Sequence, residues 1–417
     1  GAMTKLGVYG LLQTFLVFLP LSRATETWGW VVAVDGLASL FVGTLTALKQ
    51  DDAKRLMSFH VVGQVGYMFF AIGMGLVLLR TDPFLGALGL LAGVFHMLNH
   101  SLYKSCLFLG AGAVECRTGT RSLAALPGGL GAFMAVTAGC ALVASLAIAG
   151  VPPLNGFASK WLMYATGILG GREATLLPVA ALVAMFISLV TLASFLKYLG
   201  GTFLGLPRRD DPPREVPLSM QVPQVVLATA CLGFGLFPMF PLTFVQRAVA
   251  SLPSASGVPE LGMLLGAGSG LDVARTGMEL AIWAPLPVAA ALVILGLLSY
   301  LGFQKAGGAS VKDVRVWTCG EEVNPETFRY PPGSFYRPFK EAFGGIYPKA
   351  AWRAPTFPAS VRRILDPDAW FYLPFAHAVE RAAKVVSRTH TGVPHVYLLW
   401  MVVGVIAVVA ILFLVGS

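Results

Sequence analysis

Two imidazoles and one ammonium group, His96, His100 and Lys104, lie four residues apart in this sequence. Residues with that spacing share one face of an α-helix, each about 6 Å further along its axis. The apolar segment that contains them, residues 84–114, is long enough to cross a bilayer. Ionisable groups at membrane depth are costly, and they usually line a polar pathway. The spacing therefore predicts a proton relay on one helix face, and a polar seam between neighbouring helices is the alternative.

A further lysine, Lys160, follows a helix-breaking sequence. Residues 150–157 read Gly-Val-Pro-Pro-Leu-Asn-Gly-Phe inside an apolar stretch. Proline removes a backbone donor and glycine permits unusual dihedral angles, so we predict a broken helix near residues 150–160. Such breaks are tolerated at membrane depth only where they are buried in protein or line a wet cavity, and they often mark ion sites. Lys160 is therefore a second candidate for the pathway.

Three other ionisable residues have both a functional and an ordinary interpretation. Asp35 lies within a predicted span, where it either adjusts Lys5 or is an interfacial carboxylate. His60 either joins the pathway or forms a hydrogen bond at a helix interface. Lys197 lies near the end of a span, so it either extends the row of lysines or reaches out to the surface.

Composition indicates a membrane protein. Apolar residues make up 56% of the 417 residues, charged residues 12%, and mean hydropathy is +0.72. A soluble chain has about 25% charged residues. We attribute the net charge of +9 to cationic flanks of membrane spans and one polar segment, and not to nucleic-acid binding. The five cysteines show no C-x-x-C spacing, so we predict no metal site and no cofactor in this chain.

Apolar runs of roughly 20 residues predict an all-α, polytopic membrane protein with about ten transmembrane helices. The runs are 6–21, 28–48, 56–79, 84–114, 130–149, 154–169, 176–203, 222–240, 285–303 and 396–415. Alternation of these spans places Arg23, Arg80 and Arg214 on the same side as the polar segment 304–393, and the positive-inside rule assigns that side to the cytoplasm. Segment 304–393 is rich in proline, contains a charged helical stretch near 376–388, and is predicted to lie along the cytoplasmic face.

Several motifs resemble the antiporter-like membrane subunits of the complex I and Mrp superfamily. The matching segments are residues 1–12, with Lys5 as a lysine of the first repeat, the D-x-K-R-L-like loop 51–56, the H-x-x-x-H-x-x-x-K run 96–104, and the helix break 150–160. Residues 195–208 and the Trp-Thr-Cys-Gly segment 317–320 are similar to energy-converting hydrogenases of the formate hydrogenlyase and hydrogenase-4 type. The resemblance covers nearly the whole chain.

The resemblance implies a domain order. Residues 1–55 would be the last two helices of a first inverted repeat, 56–205 a complete second five-helix repeat, 206–303 additional transmembrane helices, 304–393 a cytoplasmic polar segment and 394–417 a C-terminal transmembrane helix. About six family spans that precede Lys5 are not present in this sequence. We therefore expect another polypeptide, or an N-terminal part, to cover Lys5.

The resemblance also implies a function. Lys5, His96, His100, Lys104 and Lys160 would relay protons or another cation, with Lys104 as the central carrier. Other membrane subunits and a peripheral redox arm, with nickel–iron hydrogenase-like and iron–sulfur subunits, would drive this movement in the inner (cytoplasmic) membrane. The alternatives are a subunit of an Mrp-type cation/proton antiporter or bicarbonate-uptake system without a redox partner, or a scaffold that no longer pumps.

Overall fold

The computed structural model describes residues 3–205, 213–250, 270–275, 278–306 and 332–342, and in addition residues 374, 377, 378, 380, 381 and 384. The chain divides into two compact units, Gly1–Tyr347 and Pro348–Ser417. In the second unit the described residues are helical, and Lys384 Nζ lies 2.7 Å from Glu380 Oε1, one helical turn away. Lys384 and Glu380 fall within the stretch near 376–388 that was predicted as a charged helix.

Helices make up nearly all of the described part of the first unit. They are α1 (Leu6–Gln13), α2 (Arg23–Lys49), α3 (Ala53–Leu78), α4 (Pro83–Thr118), α5 (Ala135–Ala149), α6 (Asn155–Leu169), α7 (Leu177–Phe203), α8 (Leu218–Leu236), α9 (Met239–Ala250), α10 (Pro285–Ala306) and α11 (Arg337–Ala342). A 3-10 turn, Met3–Lys5, precedes α1, and a π-helical turn, Thr14–Phe18, follows it. Strands β1 (Leu271–Arg275) and β2 (Met278–Trp283) form an antiparallel hairpin that the sequence patterns did not predict.

Six described helices, α2, α3, α4, α7, α8 and α10, are long and apolar enough to cross a membrane. The predicted all-α membrane fold is confirmed, but the count of about ten spans is not. The predicted span 6–21 forms the helical run Met3–Phe18, which is shorter than any of these six helices. The predicted span 396–415 lies outside the described residues, as does the Trp-Thr-Cys-Gly segment.

The predicted spans 130–149 and 154–169 form two half-helices, α5 and α6, of one interrupted crossing. Each has 15 residues, or about 22 Å. As the chain advances, their partners on α4 lie progressively earlier in the sequence: Cys140 meets Cys106, Asn155 meets Asn99, and Ser159 meets His96. Both half-helices therefore run in the same direction, antiparallel to α4. The break lies at residues 150–154, where the two prolines predicted it.

The interrupted crossing changes the predicted sidedness. Arg117 Nη2, near the end of α4, donates a hydrogen bond to the Glu215 carbonyl at 2.6 Å, so Arg214 lies at that end of the bundle. Arg80 lies beside the start of α4, at the opposite end. The prediction that grouped Arg214 with Arg80 was wrong, because α5 and α6 were counted as two crossings.

Close packing of α2 against α3 fixes the helix that presents His60. A methyl group added at Gly36 would lie 2.4 Å from the Phe70 backbone nitrogen, and one added at Gly66 would lie 2.4 Å from that of Leu40. Small residues let membrane helices approach this closely. The position of α3 is therefore set by backbone contact and not by long side chains.

Candidate ion-translocation site

Lys5 and His100 connect the N-terminal helical run to α4. Lys5 is only 7% exposed, so the described residues themselves cover it, contrary to the expectation that another polypeptide or an N-terminal part would. Its Nζ contacts His100 Nδ1 and lies 3.2 Å from Thr4 Oγ1. His100 is completely buried and packs edge-on against Tyr103, with ring centroids 5.5 Å apart. Two ionisable groups that the sequence placed 95 positions apart are thus in direct contact.

His96 lies at the centre of a buried hydrogen-bonded cluster. Its Nδ1 is 2.9 Å from Ser159 Oγ on α6, and its Nε2 is 3.1 Å from Gln64 Oε1 on α3. The Tyr103 hydroxyl donates to the same Gln64 oxygen at 3.3 Å. Sequence reasoning did not find Gln64 or Tyr103. The available signal was spacing, because Gln64 lies one helical turn after His60.

Lys160 caps the broken end of α5. Its Nζ donates to the carbonyl oxygens of Ile148 at 3.0 Å and Ala149 at 3.4 Å, and to Ser188 Oγ at 3.0 Å. The last carbonyl groups of a helix lack intrahelical partners and carry partial negative charge, which favours a bound cation. The break predicted from prolines therefore creates the binding place of the lysine that follows it.

Two glycines make this arrangement possible. Gly150 has a φ of +80°, in the left-handed region, and a methyl group there would lie 2.9 Å from Lys160 Cδ. A methyl group at Gly156 would lie 1.8 Å from the Ala147 carbonyl oxygen. Glycine is needed at both positions because the backbone and the lysine leave no room for a side chain.

Ser188 connects Lys160 to two tyrosines. Its Oγ lies 2.9 Å from the Tyr67 hydroxyl and 2.7 Å from the Tyr164 hydroxyl. Lys160 Nζ also lies 4.6 Å from the centroid of the Tyr67 ring, within the range of a cation–π interaction. These three partners were missed because serine and tyrosine are ordinary residues in apolar helices.

Lys104 is completely buried, and its ammonium group has no hydrogen-bond partner among the described residues. Its Nζ lies 5.4 Å from the Phe108 ring centroid and 5.9 Å from that of Phe195. Aromatic faces attract a cation but leave its N–H groups unused. Buried polar groups normally have a partner, which can be ordered water. This environment suits a group that exchanges its proton.

His60 and Lys197 both lie inside the bundle. His60 Nε2 is 2.8 Å from Ser194 Oγ, and its ring centroid is 4.7 Å from that of Phe195. Lys197 is completely buried, so it does not reach out to the surface. Its Nζ donates to the Leu48 carbonyl oxygen at 2.8 Å and contacts the Gln50 carbonyl oxygen, both at the end of α2.

Asp35 is exposed on α2 and forms no hydrogen bond or ion pair with a described residue. The structure therefore does not bring it to Lys5. Among the described residues, no group of three or more His, Cys, Asp or Glu side chains is placed to hold a metal ion.

Residues 1–191 match the family model described as NADH:quinone oxidoreductase/Mrp antiporter, transmembrane. The chain is 30% identical to hydrogenase-4 component B of Escherichia coli (strain K12), over 97% of this chain and 62% of that protein. It is 37% identical to formate hydrogenlyase subunit 3 of the same organism, over 59% and 41%. It is 34% identical to a component of a probable K(+)/H(+) antiporter of Rhizobium meliloti (strain 1021), over 63% and 25%.

A solved structure, that of the membrane-bound sulfane sulfur reductase, an archaeal respiratory membrane complex, has a similar fold. The TM-score is 0.64 with 24% identity, and the match covers 98% of this chain and 61% of the other. At that identity the similarity concerns the fold alone. The chain spans less than two thirds of the length of each of these proteins.

Proposed function

We propose that this chain carries protons, or another cation, across a membrane as part of a hydrogenase-type redox complex. The chain belongs to the antiporter-like membrane subunits of the complex I and Mrp superfamily, as its motifs predicted. The observation that carries this proposal is the row of buried ionisable groups in the bundle. Lys5 contacts His100, Lys104 follows one turn later on α4, and His96 reaches through Ser159 towards Lys160 on α6.

The proposed relay uses groups that can hold or release a proton without leaving the bundle. Lys5 passes a proton to His100, and imidazole changes charge near neutral pH. Lys104 receives it one helical turn further on, through water. His96 connects the same face of α4 to α6, where Lys160 holds the proton against the end of α5. The step from Lys5 to His100 is a direct transfer between two nitrogen atoms, and the other steps pass through water or a hydroxyl group.

The energy is proposed to come from electron transfer in a partner. Moving one charge across 100 mV takes about 2.3 kcal/mol. The similarity to hydrogenase-4 component B extends over 97% of this chain, beyond the 191 residues of the shared family model, which supports a redox partner. That partner would be a peripheral arm with nickel–iron hydrogenase-like and iron–sulfur subunits.

Other membrane subunits are also proposed as partners. Asp35 is exposed midway along α2, on the helix face that also carries Val31 and Val34, which are 51% and 59% exposed. A carboxylate at that depth rarely faces lipid, so this side of α2 is expected to meet protein. The end of the bundle with Lys54 and Arg117 has the denser positive charge and is assigned to the cytoplasm, which reverses the sequence-based assignment of Arg23 and Arg80 to that side. The membrane is proposed to be the inner (cytoplasmic) membrane.

A cation/proton antiporter is the second candidate, favoured by the 34% identity to the Rhizobium antiporter component. The test uses sealed vesicles that contain the purified complex and an internal pH dye. We expect internal pH to change when the electron donor of the complex is added, and not when a Na⁺ or K⁺ gradient is imposed without donor. The opposite pattern would replace the redox proposal by the antiporter.

A further inference from the structure

Asp51 and Lys197 form an ion pair at the boundary between the core and the surface. Lys197 Nζ lies 3.4 Å from Asp51 Oδ1, and the two side chains are 0% and 50% exposed. In the neighbouring pair, Arg121 and Asp52, both side chains are partly exposed, at 53% and 23%. The Asp51–Lys197 pair thus connects a fully buried cation to a carboxylate that meets water.

On its inner side, Lys197 lies beside the polar groups of the core. Ser194, one turn earlier on α7, is 2.8 Å from His60 Nε2. His60 Nδ1 and Lys104 Nζ are buried and have no hydrogen-bond partner among the described residues. The ring of Phe195 lies near both of them. Since buried polar atoms are usually satisfied by ordered water where protein is not available, water is the expected partner of both atoms.

On its outer side, the pair is bordered by residues 332–342. A methyl group added at Gly201 would lie 3.1 Å from Pro332 Cγ, so this segment packs directly on the end of α7. A methyl group at Gly333 would lie 4.0 Å from Asp51 Oδ2. Lys340 Nζ donates to the Gly333 carbonyl oxygen at 2.7 Å. The segment therefore lies beside Asp51 without closing it off from water.

Lys340 also interacts with Asp51 electrostatically. Partial burial lowers the pKa of Lys340, the nearby charge of Lys49 lowers it further, and the Asp51 carboxylate acts in the opposite direction. Asp51 therefore lies near two lysines, the buried Lys197 and the partly exposed Lys340 of segment 332–342. A carboxylate in that position meets cationic groups on both sides.

We propose that Asp51 is the aqueous protonation site of a second branch of the pathway, and that Lys197 connects it to His60 and Lys104. This inference rests on the proposed function. A proton from water binds the Asp51 carboxylate and then passes to the neutral amine of Lys197. The carboxyl O–H bond breaks and an N–H bond forms, which leaves a carboxylate and an ammonium ion. The proton continues past Ser194 and His60 to Lys104.

A purely structural role for Lys197, as the cap of α2, is the competing explanation. Asp51→Asn separates the two, because it leaves the contacts of Lys197 with the α2 carbonyl groups in place and removes only the ionisable group. Asp51→Glu restores a carboxylate. Asp52→Asn is the matched control, since Asp52 pairs with Arg121 on the surface and lies beside Asp51 in the chain.

The experiment measures protons moved per electron transferred by the whole complex in sealed vesicles. A positioned proton-transfer group contributes about 100-fold or more to the rate of its step, so Asp51→Asn should remove the share of this branch and leave the ratio supplied by the Lys5 branch alone. Asp51→Glu should recover most of it, and Asp52→Asn should match wild type. If Asp51→Asn pumps as Asp52→Asn does while Lys104→Ala does not pump, the inference is overturned and the proposed function stands. If Lys104→Ala pumps normally, the proposed function itself fails.

Should Asp51→Asn not accumulate in the membrane, the wild-type complex provides a second test. A water-soluble carbodiimide modifies accessible carboxyl groups, and mass spectrometry locates the adducts. Loss of proton movement should follow the adduct on Asp51, with electron transfer unchanged. Full modification of Asp51 with unchanged proton movement would overturn the inference.

Discussion

At the scale of single residues, two buried lysines are held in the same way. Lys160 donates to the last carbonyl groups of α5, and Lys197 donates to those of α2. The partial negative charge of a helix end stabilises an ammonium ion. Because that charge belongs to neutral backbone groups, the lysine can lose its proton without leaving a buried carboxylate unpaired. Such a site suits a proton carrier better than a conventional buried ion pair.

Lys160→Met should lower the stability of the complex, because it leaves the carbonyl groups of Ile148 and Ala149 without their donor. An unsatisfied buried polar group costs about 1–3 kcal/mol. Ser188→Ala is the comparison variant, since it removes the contacts of Ser188 Oγ with Lys160, Tyr67 and Tyr164 and keeps the α5 cap. Thermal unfolding in detergent should show a larger decrease for Lys160→Met. Equal decreases would contradict the capping role.

The sequence indicated the charged members of the site but not their neutral partners. His96, His100 and Lys104 stand out as ionisable residues in an apolar run, and all three are completely buried, although their part in a relay remains a prediction. Gln64 and Ser188 could not be recognised in this way, because neutral polar side chains are frequent in membrane helices. Only the packing of α3 and α7 against α4 and α6 places them at the site.

At the scale of helices, the break between α5 and α6 is the main determinant of the site. The paired prolines predicted its position. Whether the chain then reverses or continues could not be read from the sequence, because two apolar runs look the same in either case. The direction depends on contacts with α4, which lie far away in sequence. The same contacts determine that α5 and α6 together make one crossing.

Gly156→Ala should disrupt this junction. The new methyl group would lie 1.8 Å from the Ala147 carbonyl oxygen, a backbone atom that cannot turn away. Overpacking of this kind costs about 1–3 kcal/mol or more. Gly139→Ala on α5 is the matched control, because it has open space around it. The amount of folded complex in the membrane and its melting temperature should decrease for Gly156→Ala alone. A Gly156→Ala variant with wild-type stability would show that the two half-helices are not packed in direct backbone contact.

At the scale of the whole molecule, the exposed side of α2 indicates an assembly. A carboxylate midway along an apolar membrane helix predicts a neighbouring polypeptide. In the intact complex, a spin label on Asp35→Cys should therefore be shielded from oxygen dissolved in lipid. A label on Val293→Cys of α10, a residue 70% exposed, is the reference for comparison. Equally high accessibility at the two positions would show that Asp35 faces lipid.

The central claim is that protons pass through the buried lysines and histidines of this chain. The most direct measurement is the number of protons moved per electron by the complex in sealed vesicles, for wild type, Lys104→Met and Lys54→Met. Lys54 is the control because it is 40% exposed and paired with Glu115 at the surface. We expect Lys104→Met to transfer electrons with no proton movement and Lys54→Met to match wild type. Normal proton movement by Lys104→Met would contradict the account.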